Sequence, residues 1–188
     1  MIGLSHLRRC AIAALVVLAM PAPARPAPPT YVPNQPLTLR PPLQTNDREP
    51  ARFTGMLAAQ NRARHAVGSA DMQWSDLLAG TAQAWAERLR GQNCAMRHSG
   101  AAGLGENLAW AAGQRLTPAG VVAMWVAEAR DFNPATGMCR RNAVCGHYTQ
   151  IVWRGTRQVG CGMISCGGTE VWVCNYSPPG NYAGERPY

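Results

Sequence analysis

Four side chains in the C-terminal part of the chain have the types that acid–base or metal chemistry requires: His98, Glu106, Glu128 and His147. Two neutral imidazoles bind a divalent ion such as Zn²⁺, with water or a carboxylate completing the coordination sphere. A site with only two such ligands is weak, and protons compete with the metal as the medium is acidified. His98 and His147 are 49 positions apart (147 − 98), so a site that includes both must be assembled by the fold.

Hydrolysis is the alternative chemistry for these residues. Nucleophilic catalysis needs an activated serine, cysteine or threonine beside its base. Ser99 adjoins His98, but neighbouring residues of an extended chain point to opposite faces. The zinc-protease pattern His-Glu-x-x-His does not occur. A glutamate acting on zinc-bound water stays an open alternative, and we predict a binding protein rather than an enzyme.

The elements that must position these residues begin with three predicted helices, over residues 51–68, 74–94 and 117–132. Ser75 suits the N-cap of the second helix. Thr117 followed by Pro118 is typical of the start of the third, which would carry Glu128 near its middle. Met124 is expected on the core side of that third helix.

Three predicted strands follow, over residues 148–153, 158–164 and 170–176. They are short, rich in β-branched or aromatic residues, and separated by glycine-rich turns. His147 would open the first strand, and a glycine-rich loop between the second and third helices would hold His98 and Glu106. Helices followed by hairpin-linked antiparallel strands predict an α+β layer fold.

The N-terminal segment is typical of an exported protein. Arg8 and Arg9 precede an apolar run that is too short to span a bilayer, and a small-residue cleavage site ends at Ala24. Residues 1–24 are therefore predicted to be a secretory signal. Residues 25–50 are proline-rich and predicted to be a disordered linker, which leaves residues 51–188 as one domain. The mature chain is expected outside the cell or in a periplasm.

Cysteine count and charge narrow the function classes further. Removal of the signal leaves six of the seven cysteines, and an even number in an exported chain predicts three disulfides, with the pairing left open. The formal charge falls from +8 to +6 (8 − 2), and arginine carries all of the positive charge. This net positive charge favours anionic membranes or cell-wall polymers as partners. Nucleic acid is not expected as a partner, because the chain has no basic cluster. We expect a monomer.

Two stretches carry a family resemblance: GHYTQIVWRGT (residues 146–156) and VWVCNYSPPGNY (residues 171–182). Both resemble, over their full length, the signature motifs of the CAP superfamily of cysteine-rich secretory, antigen five and pathogenesis-related proteins. HSG, GENLAW and MWVAEARDF are similar to that family's remaining motifs in the same order. The resemblance covers about residues 51–188 and is to the plant-type pathogenesis-related group-one proteins in particular.

The resemblance implies a structure as well as a family. The expected fold is a three-layer α-β-α sandwich with a central antiparallel sheet. The implied disulfides pair Cys94 with Cys166, Cys139 with Cys145, and Cys161 with Cys174. The resemblance also implies that the four ionisable residues meet at the floor of a large cleft, where His98 and His147 would be the ligands of a weak zinc site.

The resemblance implies three functional readings. The first is binding of a sterol or another lipid by a protein that acts in defence or virulence. An apolar ligand needs an apolar groove, and the side chains available to line one are Met96, Trp110, Met138 and Met163. Some members of the superfamily have been proposed to be proteases. The tail PPGNYAGERPY, residues 178–188, resembles a terminal peptide that some plant-type members release as a signal.

Overall fold

A computed structural model describes residues 45–46 and 49–188 of the chain. The signal predicted over residues 1–24 and most of the predicted linker lie outside the described residues. Some described residues before Ala51 contact the domain: Thr45–Asn46 form strand β1, and Glu49 accepts hydrogen bonds from the backbone N–H groups of Gly55 and Leu57. Those amides lie at the start of the first helix, where N–H groups lack intrahelical partners.

Four α-helices are present among the described residues: α1 (Met56–His65), α2 (Asp76–Arg90), α3 (Pro118–Val126) and α4 (Gly146–Val152). Ser75 caps α2 and Thr117 caps α3, as the sequence predicts. Helix α3 is shorter than predicted, and a 3₁₀ segment, Ala127–Asp131, continues from it. Met124 is 47% exposed and does not belong to the core, which corrects its predicted placement.

The central sheet has five strands in the order β1-β2-β6-β7-β3. Its members beyond β1 are β2 (Gln73–Ser75), β3 (Gly105–Ala112), β6 (Gln158–Cys166) and β7 (Thr169–Ser177). A separate two-stranded hairpin consists of β4 (Phe132–Asn133) and β5 (Met138–Cys139). The long strands β3, β7 and β6 pair antiparallel, as expected, and the short strand β2 adds a parallel pairing with β6, so the sheet is mixed.

Helices cover both faces of this sheet and give the expected α-β-α sandwich. Helix α2 packs on β6 and β7 and buries a small core that includes Leu89 and Ile164. Helices α1, α3 and α4 contact one another on the other face, over a larger core that includes Phe53, Trp74 and Ile151. The polar pocket described below belongs to the layer of α1, α3 and α4.

Two predicted elements are wrong, and both matter for the site. Residues 146–152 form helix α4 rather than a strand, because Tyr148, Ile151 and Val152 follow helical spacing and bury one face. The segment that was expected to be a loop around Glu106 contains strand β3, which pairs with β7 along its whole length from Gly105↔Tyr176 to Ala112↔Thr169. Glu106 and His147 are therefore presented by regular elements, whereas His98 lies in the irregular segment that follows α2.

Three disulfides are present among the described residues, and they are the pairs that the resemblance implies: Cys94–Cys166, Cys139–Cys145 and Cys161–Cys174. Their sequence separations are 72, 6 and 13 residues. Cys161 and Cys174 face each other across β6 and β7. The first disulfide ties the segment after α2 to the end of β6.

Candidate functional site

The first histidine–glutamate pair lies at the start of β3. Glu106 accepts hydrogen bonds from His98 Nδ1 at 2.8 Å, from the backbone N–H of Ser99 at 2.8 Å and from Asn175 Nδ2 at 3.4 Å. The Glu106 side chain is 8% exposed, whereas that of His98 is 62% exposed. A nearly buried carboxylate thus holds a solvent-facing imidazole through its Nδ1 atom.

The second pair joins the 3₁₀ segment to the start of α4. Glu128 accepts hydrogen bonds from His147 Nδ1 at 2.6 Å and from the backbone N–H groups of His147 at 3.0 Å and Tyr148 at 3.2 Å. Amides in the first turn of a helix have no intrahelical acceptor, and a carboxylate there also interacts favourably with the helix dipole. Glu128 therefore both stabilises the start of α4 and orients the imidazole of His147.

Neighbouring side chains fix the position of His147. The indole of Trp125 stacks on its ring with centroids 6.1 Å apart and planes inclined by 18°. Trp125 is itself anchored, since its Nε1 donates to the Leu108 carbonyl at 3.0 Å. Asn107 Nδ2 donates to the His147 carbonyl at 3.0 Å. Helix α4 is thereby tied to strand β3, and the two histidine–glutamate pairs are held in one rigid framework.

A series of buried hydrogen bonds connects Asn107 of this framework to helix α1. Asn107 Nδ2 lies 3.2 Å from the Tyr176 hydroxyl, which donates to Gln60 Oε1 at 3.0 Å. Burial raises the pKa of Tyr176 above its ordinary value. The phenol therefore stays neutral and remains a hydrogen-bond donor at any physiological pH.

Both histidines border one pocket of about 310 Å³, near the lower end of the range for small-molecule sites. Its lining consists of His98, Glu106, Asn107, Val144, Gly146, His147 and Asn181. Glu128 lies behind His147 rather than in the lining. The structure thus brings together the four residues that the sequence singles out, and it adds Asn107 and Asn181, which the sequence analysis missed although both stand inside the quoted motifs.

The pocket's donors suit a divalent cation only in part. Each Nδ1 faces a carboxylate, which leaves each Nε2 as the nitrogen available to a ligand, and carboxylate–histidine pairs of this kind orient histidines at zinc sites. Among the described residues, however, no group of three or more histidine, cysteine, aspartate or glutamate side chains is placed to hold a metal ion. Two imidazoles fit a weak site in which water or a ligand completes the coordination.

Comparison with known proteins decides the family. Residues 57–176 match the CAP family, the cysteine-rich secretory protein family. The chain belongs to the CAP family. A pathogenesis-related protein of the PR-1 type from Sambucus nigra is 47% identical over 131 residues, covering 69% of this chain and 78% of that protein. Pathogenesis-related protein 1 from Arabidopsis thaliana is 48% identical over 134 residues, covering 70% of this chain and 80% of that protein.

Solved structures show the same CAP fold. Schistosoma mansoni venom allergen-like protein 4 superposes with a TM-score of 0.59 at 26% identity, covering 71% of this chain and 90% of that one. The structure of NaASP2 with Zn²⁺ has a TM-score of 0.59 at 22% identity, covering 76% and 87% of the two chains, and this likeness shows the fold alone. Within the part of the CAP protein that the structure describes, no helix is long and apolar enough to cross a bilayer.

The apolar residues expected to line a groove in this CAP protein do not line the pocket. Met96, Trp110 and Met138 are 57%, 47% and 67% exposed, and none of them borders the cavity, nor does Met163. They are distributed over separate elements: the loop after α2, strand β3, strand β5 and strand β6. They therefore form no common apolar lining of this pocket, whose lining residues are mostly polar.

Ser99, the serine next to His98, is held by local hydrogen bonds. The Ser99 hydroxyl accepts a hydrogen bond from the backbone N–H of Ala101 at 3.1 Å, and its own backbone N–H donates to Glu106. No hydrogen bond joins Ser99 Oγ to either His98 or His147 among the described residues. Ser99 therefore forms no hydrogen-bonded pair with a described histidine of the kind that nucleophilic catalysis needs.

The C-terminal segment 178–188 is docked on the CAP domain. Asn181 Nδ2 donates to the Gly146 carbonyl at 2.9 Å, and Asn181 Oδ1 accepts from Thr149 Oγ1 at 2.6 Å. The Pro187 carbonyl accepts from the backbone N–H of Arg154 at 2.6 Å, and the ring of Tyr188 lies 6.0 Å from that of Phe132. The segment therefore completes the wall of the pocket, and its release as a peptide would first have to break these contacts.

Proposed function

We propose that this CAP-family protein is exported and binds a small ligand in the His98–His147 pocket, with a divalent cation such as Zn²⁺ bridging protein and ligand. The observation that carries the proposal is the pair of imidazoles that border one pocket, each with Nδ1 committed to a carboxylate. When bound, the ion would supply positive charge that attracts an oxygen atom of the ligand. Glu106 and Glu128 orient the imidazoles toward it.

Export and a defence role are part of the same proposal. All six cysteines among residues 49–188 form disulfides, a usage typical of oxidising compartments. The N-terminal signal predicted from the sequence agrees with secretion. The relatives that match over most of the domain are pathogenesis-related proteins of plants, which supports a role in defence or in the contact between organisms.

The ligand class follows from the chemistry of the pocket. The resemblance favours a sterol or another lipid, whereas the polar side chains that border the pocket suit the oxygen-bearing end of such a molecule better than its apolar body. Val144 is the one large apolar side chain of that lining. We therefore propose that a hydroxyl or head group enters the pocket and that the apolar part lies outside it.

Calorimetric titration of the protein with Zn²⁺ at neutral pH tests the site. We expect weak binding at one site, and the variants His98→Ala and His147→Ala should each abolish it, because a weak site cannot lose one of its two imidazole ligands. Glu106→Gln should weaken binding by about 10- to 100-fold, since it removes the group that orients His98. Mass spectrometry of small molecules that co-purify with the same samples identifies the ligand.

His65→Ala is the matched control for this titration. His65 is an exposed histidine whose Nε2 forms an ion pair with Asp71, and it does not border the pocket. Its removal should leave zinc binding unchanged. Absence of any zinc binding that depends on His98 and His147 contradicts the metal part of the proposal, and the mass spectra then decide on the ligand part separately.

A further inference from the structure

A crosslinked loop projects beside the pocket and carries exposed apolar side chains. The disulfide between Cys139 and Cys145 closes a loop with Cα atoms 5.8 Å apart at its base. Met138, which precedes the loop, is 67% exposed, and Val144, within it, is 62% exposed. The crosslink restrains the loop and keeps these two apolar side chains in solvent. Exposed apolar groups of this kind are typical of a surface that binds another molecule.

Four arginines lie on this loop or on the segments next to it. Arg140 and Arg141 belong to the loop itself, and the side chain of Arg140 is 72% exposed. Arg130, 80% exposed, lies on the preceding 3₁₀ segment. Arg186 folds over the β4–β5 turn, where a Cβ on Gly137 would lie 3.1 Å from its Cγ. We call these four arginines, together with Met138 and Val144, the loop patch.

Acidic side chains neutralise only part of this charge. Asp131 is the acid of the same segment, is 12% exposed, and bonds to Arg140 at 2.6 Å and to Arg130 at 3.5 Å. Glu185 is an exposed neighbour on the C-terminal segment. Arg141 forms no hydrogen bond or ion pair with any other residue that the structure describes. The loop patch therefore keeps a net positive charge of two (4 − 2), in an arrangement that leaves Arg141 free for an external anion.

We propose that the loop patch docks this protein on the surface of an anionic lipid membrane. Arginines next to exposed apolar side chains are the combination that binds such surfaces, because electrostatic attraction to the head groups adds to burial of the apolar groups at the acyl boundary. A charged cell-wall polymer would engage the arginines but would leave Met138 and Val144 in water. The apolar pair therefore favours a lipid over a soluble polyanion.

Docking in this way would bring the pocket to the lipid surface. Val144 belongs both to the loop patch and to the lining of the His98–His147 pocket. A molecule leaving the membrane would meet the pocket beside its point of exit. This consequence rests on the proposed ligand-binding function, whereas the docking itself does not, so the two can fail independently.

Vesicle co-sedimentation tests the proposal, with large vesicles of phosphatidylcholine that either contain or lack phosphatidylglycerol. The protein should bind the anionic vesicles and not the neutral ones, and added salt should weaken the binding. The double variant Arg140→Ala/Arg141→Ala should reduce the affinity about 30-fold, at about fivefold for each arginine close to the surface. Met138→Ser should also weaken binding to vesicles, but not to a soluble polyanion such as polyaspartate.

Arg88→Ala/Arg90→Ala is the charge-matched control, because it removes two exposed arginines from α2 on the opposite face of the sheet. This variant should bind anionic vesicles nearly as well as the wild type. Equal losses in the two double variants would show attraction by net charge alone and overturn the assignment to the loop patch. Undiminished binding of Met138→Ser to vesicles would overturn the choice of a lipid surface over a polyanion. The zinc titration of the loop variants should match the wild type.

Discussion

At the scale of single residues, Arg64 holds the helix that carries His147. Its guanidinium donates to the carbonyls of Ile151 at 2.7 Å, Trp153 at 2.9 Å and Thr156 at 2.9 Å. The residue is fully buried. Burial, followed by repulsion from Arg157, lowers its pKa to about 10, so the side chain is still charged at neutral pH. One cation thus satisfies carbonyls at the C-terminal end of α4, where helical carbonyls lack partners.

The variant Arg64→Met should lower the free energy of unfolding by about 3 kcal/mol or more, since it leaves several buried carbonyls without donors. Urea denaturation measures the change. Arg62→Met is the control, because Arg62 is an exposed residue of the same helix, and it should change stability by less than about 0.5 kcal/mol. Equal effects of the two variants would contradict the organising role of Arg64.

At the scale of elements, α2 packs on the sheet through two glycines of β6. A Cβ on Gly160 would lie 2.7 Å from the carbonyl carbon of Leu78, and one on Gly162 would lie 2.7 Å from that of Ala82. Backbone atoms cannot move aside as a flexible side chain can. The absence of a side chain at these two positions therefore sets the distance between the α2 layer and the sheet.

The variant Gly162→Ala should destabilise the protein by about 1 to 3 kcal/mol, because the added methyl group pushes α2 away from the sheet. The paired experiment is Gly80→Ala within α2, where an added Cβ meets nothing within 4 Å. That variant should stabilise the protein by up to about 1 kcal/mol through helix propensity. Thermal unfolding distinguishes the two, and a neutral result for Gly162→Ala would refute the close packing.

At the scale of the whole molecule, the three disulfides differ in how far along the chain they reach. Cys94–Cys166 spans 72 residues, whereas Cys139–Cys145 spans 6. In the chain-entropy model, closing the longer loop restricts the unfolded chain more, with stabilisation of about 4 kcal/mol against about 2 kcal/mol for the shorter one. The long disulfide therefore contributes to the stability of the sandwich, and the short one chiefly shapes a surface loop.

Replacing both cysteines of a pair by alanine tests this difference. Cys94→Ala/Cys166→Ala should lower the free energy of unfolding by about 2 kcal/mol more than Cys139→Ala/Cys145→Ala, as measured by guanidinium denaturation. A larger loss for the short pair would show that local packing, rather than loop length, determines the contribution of each disulfide.

The fold class and the N-termini of two helices could be predicted from the sequence, because they depend on residues that are close together in the chain. The hydroxyl groups of Ser75 and Thr117 each accept a hydrogen bond from the backbone N–H three residues later. This interaction depends only on the local sequence. Strands β6 and β7 follow from short β-branched runs on either side of a glycine turn. The disulfide pairs came from the resemblance, since spacing alone leaves several pairings open.

Only the tertiary structure decided how the site is assembled. Ile151 and Val152 have the composition of a strand, and they are helical because Glu128 bonds to the first amides of α4 and Arg64 to carbonyls at its end. Both partners are distant in sequence. His98 and His147 meet in one pocket for the same reason: contacts between layers determine their positions, and no local pattern in the chain encodes such contacts.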